Sequence, residues 1–147
     1  MNISKKSDWD RQAIERYLLA SVDPMRFSVV GAEGFPLICS IWHWYEADHL
    51  FAVSHQNSLL VKTLETNAKC AFDISVNTPP YRGVRGVGLA VIETDAQVYL
   101  PKLLEKFLGA QYQGLQDFLT DRLEEERLIK VAIQSISAWD FSHRMVK

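Results

Sequence analysis

Cysteine is scarce in this chain of 147 residues: there are two, Cys39 and Cys70, each inside an apolar, strand-like run. Without a Cys-x-x-Cys pair they exclude a disulfide framework and suit a reducing compartment, so a cytoplasmic location is expected. No apolar run approaches the roughly 20 residues that a membrane helix needs. Lys5 and Lys6 are not followed by an apolar stretch, so no secretory leader is expected. Excess charge is equally absent. Sixteen Lys and Arg stand against eighteen Asp and Glu, a net charge of −2, which leaves no basic field for nucleic acid. His43, His49, His55 and His143 lack the short spacings of metal ligands, and no metal is expected. A glycine-rich strand-to-helix phosphate loop is missing too, because Gly83, Gly86 and Gly88 fall inside a strand-like run. No nucleophile elbow is present.

What remains is the balance of a single globular domain over 1–147, 48% hydrophobic and 23% charged. Asp8 can cap a helix through residue 20, where Ala13, Ile14, Tyr17 and Leu18 share one face before Asp23-Pro24 ends it. The N-terminal helical region is thus 1–22. Met25 to Gly31 and Phe35 to Tyr45 read as strands joined by Gly31-Ala32-Glu33-Gly34, a hairpin. A polar turn at Glu46-Ala47-Asp48 leads into the strand Leu50–Val53. Lys69 to Val76 alternates apolar and polar residues as a half-buried strand does. Tyr81 to Thr94 is strand-like, and its three glycines predict a bulge or the close approach of another group. A helical excursion is predicted over 100–124 and two closing strands over 127–142. Strands joined mostly by tight turns predict α+β architecture with an antiparallel sheet curled into a small barrel.

Between residues 50 and 67 a strand passes through Ser54-His55-Gln56-Asn57-Ser58 into a short helix, about 58–67. A helix N-terminus leaves backbone N–H groups free and is partly positive, so it suits a phosphate. Ser54 and Ser58 add hydroxyls there, and Lys62, four residues after Ser58, adds a charge on the same helix face. These three residues are the candidate phosphate ligands; the alternative is a plain helix cap with a solvated lysine.

Four stretches carry a resemblance. They are Gly34-Phe35-Pro36-Leu37 leading to Trp42; Ser54 to Ser58 with the helix ending Leu64-Glu65-Thr66-Asn67-Ala68; Tyr81-Arg82-Gly83-Val84-Arg85-Gly86-Val87-Gly88; and Trp139-Asp140-Phe141. Together they resemble the pyridoxamine 5′-phosphate oxidase-like family of FMN-binding split barrels. The resemblance implies an antiparallel split β-barrel with flanking helices. It implies a homodimer binding FMN between its subunits, and flavin-dependent oxidoreductase chemistry on an unidentified small molecule. It places the flavin ring beside Ile38, Cys39, Ser40 and Ile41, and the phosphate at Ser54, Ser58 and Lys62. Arg85 becomes a cofactor-site cation and Trp139 a residue at the site, with either Trp139 or the Trp42/Trp44 wall coming from the partner chain. His43 falls where the oxidase has a substrate-binding lysine and is the candidate substrate-side group. Ile38 and Leu60 stand where the oxidase has an arginine and a phosphate-binding lysine, and Gly83 replaces a glutamine. The chain is therefore not expected to be the vitamin B6 oxidase itself. A non-catalytic dimer, or a barrel binding deazaflavin F420 or haem, stays open as an alternative.

Two runs lie outside these motifs. Alternation puts Trp42 and Trp44 on one strand face and His43 and Tyr45 on the other. The tryptophans are expected to form a core or interface wall. Glu124-Glu125-Glu126 reads as a solvated face.

Overall fold

The structure, a computed structural model, describes residues 1–145. Its strands are β1 (Asn2–Ile3), β2 (Met25–Val30), β3 (Pro36–Ile41), β4 (Trp44–Glu46), β5 (His49–His55), β6 (Lys69–Ser75), β7 (Arg82–Glu93) and β8 (Glu126–Asp140). The helices are α1 (Arg11–Ala20), α2 (Leu59–Thr66), α3 (Ala96–Phe107) and α4 (Gln113–Asp121). The sheet order is β3-β2-β6-β7-β8-β5-β4, each neighbouring pair antiparallel, with β1 added parallel to β8. This is the expected antiparallel sheet with flanking helices. No helix among the described residues is long and apolar enough to cross a membrane.

Period-two alternation drives the inner strands. Met25, Phe27 and Val29 of β2 point inward, as do Cys70, Phe72 and Ile74 of β6. Ile129, Val131, Ile133 and Ile136 of β8 complete the barrel wall, and Ile14 and Leu18 of α1 close over it. Residue by residue such side chains contribute about 1.5–3 kcal/mol each on burial, which is what holds the sheet curved.

Several elements differ from the sequence expectation. The closing segment is one strand of 15 residues rather than two. It stays continuous because its second edge is shared: β5 pairs with Glu126 to Ala132, and β1 with Ser135 and Ile136. The strand expected from Phe35 to Tyr45 breaks at Trp42-His43 into β3 and β4. The cap of α1 is Asp10, whose carboxylate accepts from Ala13 N at 2.8 Å, rather than Asp8. Asp8 instead accepts from Asp140 N, tying the entry of α1 to the end of β8. The helical excursion begins earlier, at Ala96, and divides into α3 and α4. The expected bulge is present as a register shift between Val87 and Gly88.

Candidate functional site

The antiparallel registers bring distant residues into rows across the outer sheet face. Ser40, Arg26, Asp73, Arg85 and Ser137 align in one row, and Ile38, Ser28, Ala71, Val87 and Ser135 in the next. Between them lies a groove of about 560 Å³. Ser28 and Ala71 lie in it between the side chains of Ile38 and Val87, and Gly86 and Ser135 line it as well. Ile38 is 66% and Val87 50% exposed, an unusual display of aliphatic surface beside a cavity.

Charge is concentrated at one end of the groove. The Arg26 guanidinium donates to the Pro24 carbonyl at 2.8 Å, and Arg85 lies 5.5 Å from the centre of the Trp139 ring. Asp73, between them in the row, accepts from the Ser75 hydroxyl. Among the described residues no ion pair ties either arginine to a carboxylate. Two guanidiniums against one carboxylate leave the row net positive, and a forked donor of this kind suits a phosphate.

The sequence-predicted site residues do not all meet in this groove. Ile38 and Arg85 line it, with Trp139 beside Arg85. Cys39 points inward from β3 against the core, where burial raises its thiol pKa. Ser40 and Ile41 line a second cavity, between β3, β5 and α3. Lys62 lines a third, with the β2–β3 hairpin, and lies 3.8 Å from Glu65.

At the predicted phosphate corner the two hydroxyls bond each other and the head of α2. Ser54 Oγ donates to Ser58 Oγ at 3.0 Å, and Ser58 Oγ accepts from Val61 N at 3.1 Å as the cap of α2. Neither serine shares the cavity that Lys62 lines. Ser54 and Ser58 thus form a helix cap, and Lys62 is a separate surface lysine beside Glu65. Ser58→Ala is expected to lower stability by about 1 kcal/mol, measurable by urea unfolding, through loss of that cap.

His43 stands inside the protein rather than on a substrate-facing surface. It is 0% exposed, edge-on to Phe107 at 5.5 Å, and its Nε2 lies 3.3 Å from Lys106 Nζ. Lys106 also donates to the Leu18 carbonyl at 3.1 Å and the His43 carbonyl at 3.3 Å. Burial, then the neighbouring ammonium, pushes the His43 pKa down to about 3. Burial pulls Lys106 down to about 8. Trp42 stacks on Phe107 at 5.7 Å, while Trp44 lies under Lys102 at 5.3 Å, so the two tryptophans face helix α3.

Sequence reading missed Arg26, Ser28, Asp73, Ser135 and Ser137, which carry no local motif. It also misread Glu126, which is 3% exposed rather than solvated. The available signal was position: Glu126 opens a strand and alternates with buried Leu128, on the face turned to helices α3 and α4.

No family model matches the chain, and no curated protein matches it. Solved structures do. The conserved hypothetical protein Rv2991 from Mycobacterium tuberculosis superposes with a TM-score of 0.76 at 12% identity, over 100% of this chain and 94% of that one. The fold is that of the pyridoxamine 5′-phosphate oxidase-like split barrels. A Listeria innocua structure provisionally named a pyridoxamine 5′-phosphate oxidase gives 0.66 at 13% identity, over 86% of this chain and 95% of that one. An F420 reductase gives 0.65 at 18% identity, over 83% and 94%.

Proposed function

We propose that this split barrel binds a flavin-type cofactor, FMN in the first instance, as a homodimer, and serves as an oxidoreductase for a small molecule. The observation that carries the reading is the outer groove. Its volume of about 560 Å³ lies within the range of small-ligand sites. The small side chains of Ser28 and Ala71, side by side between Ile38 and Val87, leave space for a ring, and Arg26 and Arg85 offer charge-assisted hydrogen bonds to a phosphate. A bound flavin would supply the electron chemistry; the chain's part is to hold the phosphate, orient the ring and exclude water. The likeness to an F420 reductase and to a FAD-binding protein from Mesorhizobium loti supports a ring of this type.

The groove is open on one side, where Ile38 and Val87 line it with exposed aliphatic surface, and Leu89 and Val91 continue that exposed row along β7. A second copy laid over this face would bury them and close the groove. The lining residues favour a flavin or deazaflavin over haem, since they include no His, Cys, Met or Tyr to ligate iron.

Titration of the purified protein with FMN, by visible absorbance and calorimetry, tests the reading, and F420 is distinguished by its own spectrum. Arg26→Ala and Arg85→Ala are each expected to weaken FMN binding roughly 10- to 100-fold, the value of a hydrogen bond to a charged group. Lys62→Ala is expected to leave binding unchanged. Sedimentation is expected to show a dimer that Val87→Lys dissociates. Absence of binding to FMN and F420 by a monomeric protein overturns the reading. Weakening by Lys62→Ala with both arginine variants unaffected would return the cofactor to the corner at α2.

A further inference from the structure

A cleft of about 490 Å³ lies where α1 meets the first residue of β7 and the last of β8, and it shares no lining residue with the groove. On its helical side Ala13, Arg16 and Tyr17, three and four residues apart, share one face of α1, with Trp9 just ahead of the Asp10 cap. On its sheet side Arg82 and Asp140 stand opposite each other in the register of β7 and β8. The Trp9 and Tyr17 rings lie 5.0 Å apart, tilted by 51°, and form an aromatic wall.

The charge of the lining is unbalanced. Asp140 Oδ2 accepts from Trp9 Nε1 at 3.2 Å, and Oδ1 accepts from the Ser142 amide and hydroxyl. The Ser142 bonds hold its carboxyl below the ordinary carboxylate range, so it stays ionised. Burial raises the Tyr17 pKa, so this phenol stays neutral. Arg16 and Arg82 are exposed, and among the described residues neither is tied to a carboxylate by an ion pair. Asp8 and Asp10 accept from the Asp140 and Ala13 amides and do not line the cleft. Two guanidiniums against one carboxylate leave a single positive charge over.

We propose that this cleft binds a small aromatic monocarboxylate, its ring against Trp9 and Tyr17 and its carboxylate between Arg16 and Arg82. Guanidinium forks match a planar carboxylate, and an aryl ring gains from packing offset or edge-on against the aromatic wall. The charge count selects a monoanion: a dianion such as a phosphate monoester would exceed the one free positive charge and face the Asp140 carboxylate. A ligand spanning Arg16 of α1 and Arg82 of β7 strengthens the joint that Trp9 and Asp8 already make with Asp140. Its binding therefore stabilises the folded chain. The proposal stands on these residues alone and does not require the flavin.

The test is a titration of the full chain with benzoate, benzamide, acetate and phenyl phosphate at constant ionic strength, followed by two-dimensional NMR. Benzoate is expected to shift the Trp9 Nε1–H and the Arg16 and Arg82 Nε–H signals saturably, and to raise the melting temperature. Its affinity is expected to exceed that of benzamide, which lacks the charge, and of acetate, which lacks the ring, by roughly tenfold. Phenyl phosphate is expected to bind no more tightly than benzoate. Arg16→Gln and Arg82→Gln, both at exposed positions, are each expected to weaken benzoate binding roughly 3- to 10-fold, while Lys69→Gln, outside the cleft, leaves it unchanged. Equal affinity for benzoate and benzamide overturns the proposal, as does equal affinity for acetate or tighter binding of phenyl phosphate. Absence of saturable shifts at millimolar benzoate overturns it, and so does undiminished binding in both arginine variants.

Discussion

A Gly86→Ala variant is expected to be less stable than the natural chain by about 3 kcal/mol, the upper end of what overpacking usually costs. A Cβ at this position would stand 2.5 Å from Phe72 Cζ and nearer still to the Ser135 carbonyl oxygen. Neither neighbour can give way. Phe72 is 3% exposed, its ring packed in the barrel core opposite Gly86, and Ser135 belongs to a strand hydrogen-bonded on both edges. Gly109→Ala is the comparison, because a Cβ there meets nothing within 4 Å. Urea unfolding of the two variants should separate them by most of the expected difference. If both unfold at the same denaturant concentration, the close approach of β6, β7 and β8 is not what requires glycine at residue 86.

Mild acid is expected to destabilise the protein through His43. In the folded chain burial and the Lys106 ammonium hold this imidazole neutral down to about pH 3, whereas its ordinary pKa is 6.5. Between those values the unfolded chain binds a proton that the native chain refuses. Stability therefore falls as pH drops through this window, by about 1.4 kcal/mol per unit. A His43→Gln variant keeps an acceptor for Lys106 but has nothing to titrate, so its unfolding midpoint should change much less between pH 6.5 and 4.5. Equal slopes for the two proteins would show that His43 is not the titrating group. Lys106 acts in the alkaline range. Its pKa is lowered from 10.5 to about 8 by burial, so the native chain releases this proton first and stability rises with pH between those values. Lys106→Met is expected to remove that rise, measured by the same unfolding at pH 8 and pH 10.

The barrel was legible in the chain because its signals are local. Met25, Phe27 and Val29 alternate with Arg26 and Ser28, and the same holds from Cys70 to Ile74, so β2 and β6 declare which face is inward. Ser58 at the head of a run with Leu60, Val61 and Leu64 declares α2, and Gly34 at φ 82° declares the hairpin turn. The glycines of β7 foretold both the register shift and the close contact. The resemblance in the Gly34 to Trp42 and Tyr81 to Gly88 segments added the split-barrel topology.

The groove was not legible, because no stretch of sequence contains it. Arg26, Asp73, Arg85 and Ser137 come from four strands, and only the registers place them in one row. Burial of charge was equally hidden. Glu126 looks solvated in its run of three glutamates until Arg122, four residues earlier, folds over it. Lys106 looks like an ordinary helix-end lysine until the Leu18 and His43 carbonyls converge on its ammonium. By itself the sequence determined which residues form strands and helices, since side-chain period and capping act over a few neighbours. Which polar groups share a cavity and which charges lose their water depended on pairing between distant strands, and that was settled by the tertiary structure.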